Sequence, residues 1–244
     1  MPEGPSIVIL KEAVENFNGK KILAASGNAK INMQELVNQP VNFKSWGKHF
    51  LICLPQRTIR IHFLMFGSYS INEQTKPDRS LRLCLQFKNG AAYFYTCAIK
   101  LLEDEPDNSY DWSADVMNDT WNPAKARKKL KAQPGMMACD ALLDQQIFSG
   151  VGNIIKNEVL YRIKLHPESF IGKVPPRTLS LLVKEARIYS FEFLAWKKAF
   201  ELKKHWLAHT KKICTRCNLP FQKKYCGKTK RRSFFCNNCQ VLYN

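Results

Sequence analysis
The residues best suited to chemistry open the chain, Met1-Pro2-Glu3-Gly4-Pro5. Removal of the initiator methionine, favoured by the small residue after it, would leave proline at the terminus. Its nitrogen is then a secondary amine. Free α-amino groups titrate near pH ~8, so a sizeable fraction is neutral and nucleophilic at physiological pH, and nearby positive charge raises that fraction. Such an amine can attack an aldehyde-like carbon and form an iminium, the Schiff-base route of covalent catalysis. Glu3, one residue on, can give or take a proton at the same centre. The bland alternative is a chain that begins Met-Pro by accident.

A second constellation lies at the other end. Cys214-x-x-Cys217 and Cys236-x-x-Cys239 are separated by eighteen residues, and the segment 211–244 holds nine Lys and Arg and no Asp or Glu. Two Cys-x-x-Cys knuckles at this spacing make a tetrahedral thiolate site for structural Zn2+. No His or Glu accompanies them to complete an open, catalytic site. Residues 221–235 between the knuckles read as a hairpin, with Lys228, Lys230, Arg231 and Arg232 on its return side. Cys226 reads as a bystander.

A third feature is Ser149-Gly150-Val151-Gly152-Asn153. Two glycines permit a tight turn with exposed amides, and a helix N-terminus follows at once. Together these suit a phosphate, though an ordinary helix–turn–helix corner would look the same.

The elements that position these residues follow from periodicity. Ile7, Leu10, Ala13, Val14 and Phe17 predict a helix over 6–17, which anchors and aims the terminal amine. Short β-rich runs follow at 21–25, 41–46, 50–54, 58–63, 81–87 and 91–95, with Lys88-Asn89-Gly90 as a hairpin turn. Strands at this spacing predict an antiparallel sandwich or barrel. The stretch 103–119 carries seven acidic and no basic side chains, as a domain edge would. Beyond it the pattern turns helical: 123–132, 137–148, 154–161 and 178–200. The expected organisation is α+β and multidomain, with residues 1–120, 121–210 and 211–244 as its three parts.

Composition narrows the partner. Across 244 residues, 38 Lys and Arg against 20 Asp and Glu give a net charge of +18, which points to a polyanion, most often nucleic acid. No run reaches the roughly 18 apolar residues of a membrane span, and no secretory leader is recognisable. An intracellular, non-secreted setting is expected, in which nine cysteines serve as thiols and metal ligands rather than disulfides.

Read together, the start Met-Pro-Glu-Gly-Pro, the segment Leu143-Asp-Gln-Gln-Ile-Phe-Ser-Gly-Val-Gly-Asn-Ile-Ile-Lys-Asn-Glu158, and the ending Arg231-Arg-Ser-Phe-Phe-Cys-Asn-Asn-Cys-Gln240 resemble the formamidopyrimidine-DNA glycosylase and endonuclease VIII family. The resemblance spans the chain, in order. It implies an N-terminal antiparallel β-sandwich with an N-terminal helix, a helix–two-turn–helix domain and a C-terminal zinc β-hairpin, with DNA between the lobes. It also implies a bifunctional enzyme of base-excision repair: a DNA glycosylase that removes oxidised bases and an abasic-site lyase that cuts the strand by β,δ-elimination. The partner would be damaged or abasic double-stranded DNA, bound by a monomer, in the cytoplasm and nucleoid if the chain is bacterial.

Carried over by position, Pro2 resembles the nucleophile that attacks C1′, and Glu3 the acid that assists sugar-ring opening. Lys48, in Trp46-Gly-Lys-His-Phe50, resembles a lysine that contacts the phosphate near the lesion. Asn153 and Arg231 resemble the residues that hold the flanking phosphates, consistent with a turn-amide site and a basic hairpin gripping the backbone. Leu64, Met65 and Phe66 fall where the family carries the wedge that fills the gap left by a flipped nucleotide, although strand-end core packing would also explain them. Glu158 falls on a family position in a structural or a site role, and His49 and His62 read as structural. Two departures matter. Ser6 stands where many members carry Glu, and Tyr95-Thr-Cys-Ala-Ile-Lys100 replaces the Asp-Pro-Arg-Arg-Phe run of the formamidopyrimidine branch. The second points to the endonuclease VIII branch and to oxidised pyrimidines. The competing readings are an enzyme of this family that prefers purine lesions and a non-catalytic zinc protein that binds nucleic acid.

Overall fold
In a computed structural model, which describes residues 2–244, the chain forms two compact units that divide between Tyr110 and Asp111. The division falls inside the acidic stretch 103–119, where few apolar side chains are available to continue a core.

The first unit is a sandwich. Helix α1 (Gly4–Ala13) starts two residues before the periodicity suggests and stops earlier, followed by a single 3₁₀ turn at Glu15–Phe17. Pro5 in its first turn is suited to that start, since its fixed φ fits a helix and its missing N–H would be unpaired there anyway. Strands β1 (Ala24–Ser26), β2 (Asn42–Trp46), β3 (His49–Leu54), β4 (Arg57–His62), β5 (Ser68–Ile71), β6 (Leu81–Phe87), β7 (Gly90–Tyr95) and β8 (Ala98–Leu102) form two antiparallel four-stranded sheets, ordered β1-β6-β7-β5 and β2-β3-β4-β8. Their inner faces and α1 share one core. Ile7, Leu10, Val14 and Phe17 are buried with Phe50, Ile52, Ile59, Ile61, Leu83, Leu85 and Phe94. Each such side chain contributes roughly 1.5–3 kcal/mol of burial, so the helix that carries Pro2 and Glu3 is held by the sandwich itself.

Three strands depart from the sequence reading. The run at 21–25 is not a strand throughout: Lys21 makes only an isolated bridge to Pro40, and β1 begins at Ala24. Strands β5 and β8 were not anticipated. Every residue of β5 is only half-buried, so it lacks the alternation that marks a strand.

In the second unit, a short helix α2 (Pro106–Ser109) having closed the first, come α3 (Pro123–Lys131), α4 (Ala138–Leu143), α5 (Asn153–Arg162) and α6 (Pro176–Lys198). Asn122 caps α3, its Oδ1 accepting from Lys125 N at 2.9 Å. Helix α4 is half the length expected from 137–148. Asp144 ends it, because its Oδ1 takes the amide of Gln146 at 2.8 Å in an Asx turn, a local bond that competes with the helical one. Buried Leu130, Leu142, Phe148, Ile155, Val159, Leu182, Tyr189 and Phe193 join the four helices in one core. The strands β9 (Gln222–Cys226) and β10 (Arg231–Phe235) pair antiparallel as the C-terminal hairpin, and Cys226 and Phe235 extend the same core. Cys226 is therefore a packing residue. The described residues include no helix long and apolar enough to cross a membrane.

Candidate active site and nucleic-acid interface
Pro2 is half-buried and Glu3 almost fully so, with 1% of its surface exposed, at the N-terminal end of α1. The Glu3 carbonyl accepts from Ser6 N at 2.8 Å, which fixes the extended Glu3 backbone against the first turn of the helix. A proline and a sequestered carboxyl are thus held side by side on a rigid element.

Lys48 lies in the tight turn between β2 and β3, where Trp46 pairs with His49. Gly47 precedes it at φ 51°, a value that hairpin turns with glycine at the first central position require. Lys48 therefore rides on a two-residue turn with a fixed direction. His49 pairs with His62 across β3 and β4, so this turn and the one after β4 lie at the same end of the sheet. His49 is hydrogen-bonded through Nδ1 to Tyr110 Oη at 3.1 Å. Burial, with the charges of Arg60, His62 and Lys48, holds its pKa down at about 4. Burial, with Lys48 and Arg60, also lowers that of His62. Both rings read as neutral packing groups in a basic neighbourhood.

The turn after β4 carries Leu64, Met65 and Phe66, which are 50%, 56% and 75% exposed. That exposure removes the strand-end core reading for all three. Gly67 N donates to Phe63 O at 2.8 Å, and a side chain at Gly67 would meet that oxygen at 2.3 Å. The glycine lets the turn close and push three large apolar side chains outward. His62 Nδ1 accepts from Leu64 N at 3.3 Å, with Leu64 at φ 52°.

In the second unit, Gln145 pins the glycine turn: its Oε1 accepts from Gly150 N at 3.1 Å and its Nε2 donates to Val151 O at 3.1 Å. Gly150 has φ 98°. Gly152 caps α5 and Asn153 is its first residue. Asn153 Nδ2 donates to Arg232 O at 3.0 Å, so the turn and the hairpin meet at this residue. Arg231 opens β10 opposite Cys226. Its neighbour Arg232 is turned aside: it donates to Tyr225 Oη at 2.9 Å and lies over the Tyr225 ring. Asp140, 8% exposed, ties down the hairpin's turn, accepting from Lys228 N at 2.8 Å, Thr229 N at 3.1 Å and Thr229 Oγ1 at 2.9 Å. Gly227 at φ 70° makes room for that carboxylate, since a side chain there would meet it at 2.3 Å. Asp140 and Gln145 carry no signal in the sequence, because their partners lie far along the chain or are backbone atoms hidden in a turn.

Glu158 has no surface exposure. It accepts from Leu207 N at 2.9 Å, Ala208 N at 3.0 Å and His209 N at 2.6 Å. Burial raises its pKa against the pull of those three bonds. Its place in the fold is to fasten the segment leading to Cys214.

The four sulfurs of Cys214, Cys217, Cys236 and Cys239 all lie within 4.8 Å of one another. All are free thiols. Cys214 and Cys239 are 3.7 Å apart, far beyond a disulfide and close to the ~3.8 Å edge of a tetrahedron with metal–sulfur bonds of ~2.3 Å. Tyr161 Oη approaches Cys214 Sγ at 3.4 Å, and Asn238 Nδ2 donates to Cys217 Sγ at 3.2 Å. The cluster is arranged to bind a metal.

The model of the formamidopyrimidine-DNA glycosylase N-terminal domain matches residues 1–101, and that of the formamidopyrimidine-DNA glycosylase H2TH domain matches 113–190. The chain belongs to the formamidopyrimidine-DNA glycosylase and endonuclease VIII family. A mouse relative, endonuclease 8-like 3, is 31% identical over 201 residues, covering 80% of this chain and 33% of the mouse protein. The chain thus spans about a third of the length of that relative. The family fold extends over nearly all of it. A viral DNA glycosylase superposes with a TM-score of 0.85 at 20% identity, covering 98% of this chain and all of the other. A Lactococcus lactis formamidopyrimidine-DNA glycosylase solved with abasic-site DNA superposes with a TM-score of 0.84 at 19% identity, covering 98% and 99%.

Proposed function
We propose that the protein is a base-excision-repair DNA glycosylase with abasic-site lyase activity, acting as a monomer on damaged double-stranded DNA. The observation that carries this reading is the pairing of Pro2 with a nearly buried Glu3 at the start of a helix locked into the sandwich core. Once Met1 is removed, the Pro2 nitrogen attacks C1′ of the damaged nucleotide. The glycosidic bond breaks and its electron pair leaves with the base. Glu3 protonates O4′ as the sugar ring opens, and the nitrogen lone pair forms the iminium. The iminium acidifies the C2′ proton. Its removal expels the 3′ phosphate, and a second elimination expels the 5′ phosphate. Lys48 contacts the phosphate near the lesion, and Asn153 and Arg231 hold those flanking it. Leu64, Met65 and Phe66 fill the vacated stack; their exposure on a glycine-closed turn supports that role.

Four cysteine sulfurs within 4.8 Å of one another fit a structural Zn2+ by the chemistry of an all-sulfur donor set. Cys214, Cys217, Cys236 and Cys239 would hold it, and its contribution is to fold a basic hairpin too small to own a core. Oxidised pyrimidines are the favoured substrates. The segment Tyr95–Lys100, which stands in place of the Asp-Pro-Arg-Arg-Phe run, contributes a buried Cys97 and the start of β8 rather than an exposed Arg and Phe, and the mouse relative is named for endonuclease 8.

The test is a nicking assay on an abasic duplex, with borohydride present to trap a covalent complex. Cleavage and trapping are expected, and both are lost when one extra residue precedes Pro2. Binding without cleavage leaves a non-catalytic zinc protein. Parallel duplexes carrying thymine glycol, dihydrouracil or 8-oxoguanine test the preference for pyrimidines, which faster release of 8-oxoguanine contradicts.

A further inference from the structure
Lys156 has no exposed surface. A lysine side chain carries three N–H donors and no acceptor, and its Nζ meets three oxygens: Asn153 Oδ1 at 2.9 Å, Arg232 O at 3.2 Å and Ser233 Oγ at 2.8 Å. It sits one turn after Asn153 on α5, so the two side chains share a face. The consequence for Asn153 is stereochemical. Lys156 can only donate, so the amide must turn Oδ1 towards it. Arg232 O can only accept, so Nδ2 must face the hairpin. The amide is fixed without ambiguity, and of its two N–H groups one is taken by Arg232 O and the second remains for a ligand.

From this we infer that Lys156 is a positioning residue for phosphate recognition: buried between α5 and β10, it sets the orientation of the Asn153 amide and ties it to the strand that begins with Arg231. The inference rests on the reading of Asn153 and Arg231 as phosphate-gripping residues. Lys156 does not itself reach DNA. A basic residue next to the phosphate turn thus works through a neutral neighbour rather than through its charge.

The experiment measures binding of zinc-replete protein to a duplex with a tetrahydrofuran abasic analogue, across a salt series. Lys156→Met keeps the side-chain volume and removes all three donors. It is expected to raise Kd about tenfold in the natural background and less than twofold in an Asn153→Ala background, because its effect passes through that amide. The slope of log Kd against log salt stays unchanged. A slope flattened by about 0.9, the signature of one lost phosphate contact, would make Lys156 a direct contact and overturn the inference. So would equal losses in both backgrounds, or no loss. Lys156→Gln runs the same cycle should the methionine variant fail to fold; unfolding of both also overturns it, since the lysine would then be holding the unit together. Asn153→Ala and Arg231→Ala alone separate the two levels. If neither weakens binding, the phosphate reading itself falls. If both do and Lys156→Met does not, only the role of Lys156 falls.

Discussion
Glu158 gives a sharp test of how the second unit is built. Its Oε1 accepts from the amides of Ala208 and His209 and its Oε2 from that of Leu207. In Glu158→Gln, the carbonyl can keep the first pair, but the new NH2 faces the Leu207 N–H, donor against donor. One buried amide goes unmade, at about 1–3 kcal/mol, and the retained bonds lose their charge assistance. A net loss of about 2–3 kcal/mol is expected. Over Asp111–Asn244, an unfolding entropy of roughly 2.1 cal/mol/K per residue turns that into a fall of about 9 °C in Tm. Glu158→Ala removes all three bonds and leaves a cavity, and should cost about 4–6 kcal/mol. Calorimetric melts of zinc-replete protein measure the loss, alongside excision assayed well below both midpoints. Activity of the glutamine variant should persist there. A variant that melts like the natural protein yet cannot excise would overturn this structural role, because the carboxylate would then be acting on DNA.

Three further expectations concern the wedge, the histidines and the metal. Phe66→Ala and Met65→Ala should leave Tm unchanged, given their exposure, and slow excision from duplex by about tenfold (~1.4 kcal/mol) with little effect on single strands; equal slowing on both would contradict a wedge. His49 stays neutral in the folded state to a pKa of about 4, while the unfolded chain protonates near ~6.5. The unfolded state therefore binds more protons between those values, so the contribution is whole above pH 6.5 and is lost as pH falls, by about 2 kcal/mol at pH 5. Denaturant titrations at pH 7 and 5 should show that drop and its shrinkage in His49→Gln; an undiminished drop would assign it elsewhere. Thiol titration should release one zinc per chain, with loss of DNA binding on chelation, and Cys226→Ser should not change the stoichiometry.

Much of this was legible in the residues. The 3- and 4-residue spacing of Ile7, Leu10, Val14 and Phe17 announced α1, and two Cys-x-x-Cys pairs announced the metal cluster, because both signals are local. What stayed hidden was non-local or backbone-directed. Ser68–Ile71 joins its sheet with no alternating face. Asp144 stops α4 through a side-chain bond that composition does not reveal. Asp140, Lys156 and Glu158 bind groups 49 to 89 residues away. Lys156 sat in plain view between Asn153 and Glu158, and its spacing of three from Asn153 was the available signal. The exposure of Leu64, Met65 and Phe66 depends on how Gly67 closes its turn, a matter of geometry; their apolar composition alone favours core packing.

Everything catalytic in the account depends on which nitrogen joins the sugar. An abasic duplex turned over in borohydride, digested with protease and nuclease and sequenced by mass spectrometry, answers that directly. The expected product is a chain lacking Met1, with the reduced deoxyribose fragment on the nitrogen of Pro2. An adduct on Lys48 or any other lysine, with an unmodified terminus, would contradict it.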